Sequence, residues 1–186
     1  MLHDPELLEQ LDARPSILFE DSIFRATRLN LDPLAPSTRG GRWAPPDEIP
    51  VLYTSLSRDG AIAEIVHHWM QLTPLPSKPL LVHELDVSTR TTLRLLKADL
   101  VEFGVPISNY HSVNYRRTQE IGAAVAFLEH DGLIVPSARW ESENLVLFSE
   151  NHGIEERLHI NDSQEIDWRT WASRHEWLDE EQKEKS

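Results

Sequence analysis

The chain has 186 residues, of which 40% are hydrophobic and 26% charged, and its 31 acids against 18 bases leave a net charge of −13. One domain of this size buries about 70% of the surface its unfolded chain exposes, whereas the charge disfavours a nucleic-acid binder or nuclease, which needs clustered Lys and Arg. The absence of cysteine excludes disulfide, thiolate and zinc–cysteine chemistry. No stretch approaches the ~20 apolar residues of a membrane helix. The opening "MLHDPELLEQLD" is acidic without an apolar run, unlike a signal peptide, so a cytoplasmic protein is expected.

In chain order, "DPELLEQLD" predicts a short helix with Asp4 as N-cap and Pro5 at the first helical position. "SIFRATR" (22–28) reads as a strand, and the Pro/Gly-rich stretch 33–50 as a long loop of the kind that carries function. "VLYTS" is a strand, 58–71 a helix, "TPLPSKP" a loop, 80–87 a third strand and 97–103 a short helix. Apolar residues at 121, 124, 125 and 128 mark a core-packed helix over 115–130, with Gly132 expected at its C-cap. "LIVPSA", "NLVLFS" and "IEERLHI" predict three more strands. The last segment carries Trp168, Trp171 and Trp177 before a charged end; a docked terminal helix and a tail that orders on a partner both fit. Strands and helices without βαβ alternation indicate an α+β fold. One domain over 1–186 is expected, with a core of about 22–160 and a Trp-rich extension over 161–186.

Six residues stand out. On the helical wheel Glu64 falls nearly opposite Ile62, Ile65, Val66 and Trp69, so the core does not claim it. It is either a solvated surface residue or the wall of a cleft roofed by the 33–50 loop. Arg42 follows Gly40-Gly41, where backbone can take positive φ or approach a neighbour closely, and its planar fork suits phosphate; a surface ion pair is the plainer alternative. Tyr53 is a good strand former whose ring can also stack on a heterocycle. Ser137 in "LIVPSAR" suits a strand end or a turn and lacks the G-x-S-x-G context of a hydrolase nucleophile. His67 and His68 lie three and four residues after Glu64, but no H-E-x-x-H or second such motif accompanies them, so no metal is expected.

The ordered set "FRATR", "GGRW" with its following "PP", "VLYTSLS", "AIAE", "QEIGAAVAFLEHDGLIVPSAR" and "NLVLF" resembles the RES-domain family over roughly 24–148. The resemblance implies an ADP-ribosyltransferase-like mixed β-sheet core with flanking helices. It also implies a growth-arresting toxin of a bacterial toxin–antitoxin pair, neutralised by an Xre-like helix-turn-helix antitoxin. The implied substrate is NAD+, cleaved between nicotinamide and ribose with water or phosphate as acceptor. Transfer of ADP-ribose to a protein is the alternative, and a non-catalytic NAD-binding module a third.

By the same resemblance, Arg25, Arg42, Tyr53 and Ser137 match cofactor-binding positions. Glu64 matches the catalytic glutamate, with Arg42 and Tyr53 serving the chemistry as well. The family commonly has Asn after the Trp, where this chain has Ala44.

Overall fold

A computed structural model describes residues 3–178. Six strands and five helices follow in order: α1 (Pro5–Asp12), β1 (Ser16–Arg28), β2 (Val51–Ser55), α2 (Arg58–Trp69), β3 (Leu80–Arg94), α3 (Lys97–Glu102), α4 (Arg116–Phe127), β4 (Gly132–Pro136), β5 (Glu143–Phe148), β6 (Leu158–Ile166) and α5 (Trp168–Arg174). The strands form one sheet in the order β1-β2-β5-β4-β3-β6, and β1 also pairs with β3, so five strands close on themselves while β6 flanks β3. Every pairing is antiparallel except β3 with β4. The fold is α+β, as the mixed pattern predicts.

Helices α1 and α2 each start where an N-cap side chain satisfies a free backbone donor. Asp4 accepts from Glu6 N at 3.1 Å ahead of Pro5, and Ser57 accepts from Gly60 N at 2.9 Å to open α2. Ile62, Ala63, Val66 and Trp69 of α2 are buried. The two strands central to the ring are buried on both faces, which explains their unbroken apolar runs. Leu133, Val135, Val146 and Phe148 face the cluster under α1, α3 and α4, while Ile134, Leu145 and Leu147 fill the ring with Ile23, Leu52, Leu85 and Val87.

Four boundaries differ from expectation. β1 begins at Ser16 and β3 runs to Arg94, because the polar half of each pairs with the other: Ser16 opposes Leu93 and Glu20 opposes Ser88. Gly132 does not cap α4. Glu129 takes the left-handed position at φ 61, and Gly132 opens β4, where a Cβ would lie 2.5 Å from Thr92 Oγ1. The sixth strand spans Leu158–Ile166 instead of "IEERLHI", along an exposed edge where polar residues suffice.

Trp168 and Trp171 of the last segment lie on a docked helix, α5, and Trp177 follows it, edge-on to Trp171 at 5.6 Å. Asp167 caps α5 by accepting from Arg169 N and Thr170 N. Trp168 crosses Trp69 of α2 edge-on at 5.5 Å, and Trp171 Nε1 donates to Asp59 Oδ1 at 2.8 Å. The charged end, 179–186, lies outside the described residues. Among the described residues no helix is long and apolar enough to cross a membrane.

Candidate active site

A cavity of about 560 Å³ opens between β1, the 39–46 loop, β2, α2, the start of α4 and the turn after β4, within the range of small-molecule sites. Arg25, Arg42, Tyr53 and Glu64 all line it; Ser137 does not, but touches Glu64. Among the described residues Glu64 is the cavity's one lining acid, on the α2 face turned away from the buried stripe.

Two side chains grip Glu64 from the sheet. Ser137 Oγ, at the end of β4, donates to Glu64 Oε1 at 2.9 Å, and Asn144 Nδ2, at the start of β5, donates to the same oxygen at 2.8 Å. Oε2 takes no hydrogen bond from the described residues, so one carboxylate oxygen is anchored and the other is available to a ligand. Ser137 also shapes its own turn, since its hydroxyl accepts from Arg139 N at 3.1 Å and Trp140 N at 3.3 Å.

Four arginines, Arg25, Arg39, Arg42 and Arg139, also line the cavity. None forms a salt bridge with a carboxylate among the described residues. Arg25 donates to the carbonyls of Pro33 and Ala35 at 3.0 and 3.2 Å. Arg42 donates to Ser112 O at 3.2 Å and lies over the rings of Tyr110 and Tyr115, 4.7 and 4.6 Å from their centroids. Arg139 donates to His111 O at 2.6 Å.

Burial lowers the proton affinity of Arg25 and Arg42, an effect opposed by Asp32 for the first and foremost by Tyr110 for the second. A guanidinium nevertheless stays charged in proteins. Partly desolvated cations whose hydrogen bonds go only to neutral carbonyls form a surface that an anionic ligand stabilises.

Tyr53 performs two tasks. Its ring borders the cavity, and its hydroxyl accepts from Trp43 N at 3.1 Å, tying β2 to the GGRW loop. Burial pushes its phenol up to about 12, with the Trp43 bond acting in the other direction. The paired glycines split their duties around this contact. Gly40 takes φ +76, and a Cβ on Gly41 would stand 2.6 Å from the Tyr53 hydroxyl. Gln119 Nε2 of α4 holds the loop from the other side through Gly41 O at 2.9 Å. Ala44 is fully buried, so the position after the Trp contributes no polar side chain to the cavity.

Sequence reasoning passed over Arg39, Arg139, Asn144, Gln119, Tyr110 and Tyr115. Arg139 and Asn144 sit inside the quoted "PSAR" and "NLVLF" motifs, where a charge beside a turn and an amide opening an apolar strand were available signals. His68 lines the cavity, whereas His67 meets Gln71 at 3.0 Å and has its proton affinity lowered chiefly by burial. Among the described residues no group of three or more His, Cys, Asp or Glu is arranged to hold a metal.

Known proteins supply independent findings. The family model described as "RES domain" matches residues 22–169. Proteins named NAD(+) phosphorylase MbcT from Mycobacterium bovis and Mycobacterium tuberculosis are 27% identical over 143 residues, covering 73% of this chain and 77% of theirs. A chain in the crystal structure of the M. tuberculosis MbcT–MbcA toxin–antitoxin complex shares the fold, with a TM-score of 0.79 and 23% identity across 91% of this chain and 97% of that one.

Proposed function

The chain belongs to the RES domain family, and from that premise we propose that it is a toxin that destroys NAD+ in the cavity by breaking the nicotinamide–ribose bond. The observation that carries this reading is four arginines without ion pairs among the described residues, lining one cavity with an anchored carboxylate, in a chain of net charge −13. A dinucleotide diphosphate meets the first requirement and its ribose the second. Further support comes from the name of the mycobacterial relatives, which specifies NAD+ and phosphate chemistry.

The proposed mechanism assigns each end of the cavity a task. Arg25 and Arg42 hold the diphosphate, and the Tyr53 ring borders the nicotinamide. As the C–N bond breaks, its electron pair leaves with neutral nicotinamide, so no acid is needed to protonate the leaving group. Positive charge develops on the sugar, as in glycoside hydrolysis. Glu64 faces that charge through Oε2 while Ser137 and Asn144 keep Oε1 in place, a preorganised electrostatic stabiliser. An oxygen of inorganic phosphate then bonds to the ribose carbon, giving ADP-ribose phosphate; water in its place gives ADP-ribose and a proton.

A cognate antitoxin is the proposed partner, by analogy with the MbcT–MbcA complex. An Xre-like helix-turn-helix protein is the proposed type, the cytoplasm is the proposed compartment, and the chain's negative charge favours a basic partner surface. The deciding experiment incubates purified protein with NAD+, with and without phosphate and with lysate, and weighs the products. Nicotinamide release with phosphate-dependent ADP-ribose phosphate is expected. Intact NAD+, or ADP-ribose appearing only as added mass on lysate proteins, contradicts the reading.

A further inference from the structure

Tyr110 has no motif around it and does not line the cavity, yet two functional groups of the cavity rest on it. It is 7% exposed and belongs to the core cluster that contains Phe103 and Val135. One face of its ring lies under the Arg42 guanidinium at 4.7 Å. Its hydroxyl donates to Pro136 O at 2.7 Å. Burial pushes that phenol above the usual tyrosine range, with Arg42 acting in the other direction, so the hydroxyl keeps its proton and remains a donor.

Pro136 is the residue before Ser137, which holds Glu64. The same short segment is tied to the cavity at two further points: Ser112 O accepts from Arg42 and His111 O from Arg139. The segment's only connection to the sheet end that presents Ser137 through a side-chain hydroxyl is thus the Tyr110–Pro136 bond among the described residues.

We propose that Tyr110 is a positioning residue serving both ends of the site: its ring sets the Arg42 guanidinium, and its hydroxyl fixes the Pro136–Ser137 peptide that presents Ser137 to Glu64. The two halves are chemically separable. A planar ring under a guanidinium contributes through cation–π attraction and by restricting the long side chain. The hydroxyl contributes one buried hydrogen bond, whose loss leaves a carbonyl without its donor. The ring therefore acts on binding and the hydroxyl on the chemical step. This inference rests on the NAD+ reading for its kinetic half and only on anion binding for the other half.

The test compares Tyr110→Phe and Tyr110→Leu in the full chain, with melting temperatures, NAD+ turnover kinetics and calorimetric binding of ADP-ribose. Tyr110→Phe keeps the ring; it is expected to bind ADP-ribose as the wild type does while kcat falls roughly three- to tenfold. Tyr110→Leu removes both groups; its ADP-ribose Kd and its KM for NAD+ are expected to rise about tenfold, on top of the same loss in kcat. An unchanged kcat in Tyr110→Phe, or equal weakening of ADP-ribose binding by both variants, overturns the inference. If Tyr110→Leu does not fold, Tyr110→Phe alone decides through its kcat at unchanged Kd. Wild-type protein that binds ADP-ribose but releases no nicotinamide contradicts the NAD+ reading instead, and the ring half is then judged by the Kd of Tyr110→Leu.

Discussion

The two sides of the cavity are built by different means. Glu64 is held by side chains that project from regular elements: it sits on α2 and is gripped from the ends of β4 and β5. Three of the four arginines are hydrogen-bonded by loop backbone: Arg25 by the carbonyls of Pro33 and Ala35, Arg42 by Ser112 O, where the Tyr110 and Tyr115 rings also flank it, and Arg139 by His111 O. Side chains on a packed sheet and helix fix a group within a narrow range, as a reacting centre demands. Loop carbonyls hold cations in place but can release them to a phosphate, as a binding wall demands. On the proposed reading, the contrast separates chemistry from affinity along one cavity.

The largest expected effect is at the carboxylate. Glu64→Gln keeps the size and both hydrogen-bonding ends of the side chain, so it should melt like the wild type and lose about 10²–10³ in kcat for NAD+ with little change in KM. Ser137→Ala sharpens the point by removing one of the two grips, with an expected loss in kcat of about tenfold. A rise in KM at unchanged kcat in Glu64→Gln would show that the carboxylate only binds, and the contrast between the two sides would collapse.

On the loop side a backbone contact is the sensitive point. Gly122 of α4 lets the carbonyl of Trp43 approach so closely that a Cβ there would lie 1.8 Å from it. Gly122→Ala should push the GGRW loop outward, lower stability by about 1–3 kcal/mol and raise KM for NAD+ more than it lowers kcat. Thermal melts and steady-state kinetics read both. A variant with a normal KM would mean that the loop's seat on α4 does not set the arginine wall.

The sequence pattern exposed the carboxylate side more readily than the loop side. Glu64 declared itself by standing on the helix face opposite an apolar stripe, and Gly40-Gly41 by a pairing that serves one positive φ and one close approach. The Trp-rich end fitted a docked helix and a partner-ordered tail equally well in the sequence, and the structure gives the helix, capped by Asp167 with Trp168 and Trp171 buried. By contrast, Tyr110 and Tyr115 flank Arg42 only because a segment some seventy residues further along folds back over it, as the Arg42–Ser112 bond does across a separation of 70. No local periodicity encodes that contact. The long arms of β1 and β3 and the exposed edge strand β6 were hidden for a related reason: their partners are each other, and polar edge strands carry no alternation to read.

The most direct measurement is a crystal structure of the protein with ADP-ribose bound. The diphosphate is expected against Arg25 and Arg42, and the ribose hydroxyls within hydrogen-bond reach of Glu64 Oε2. ADP-ribose seated elsewhere, or lying in the cavity with its ribose turned away from Glu64, would contradict it.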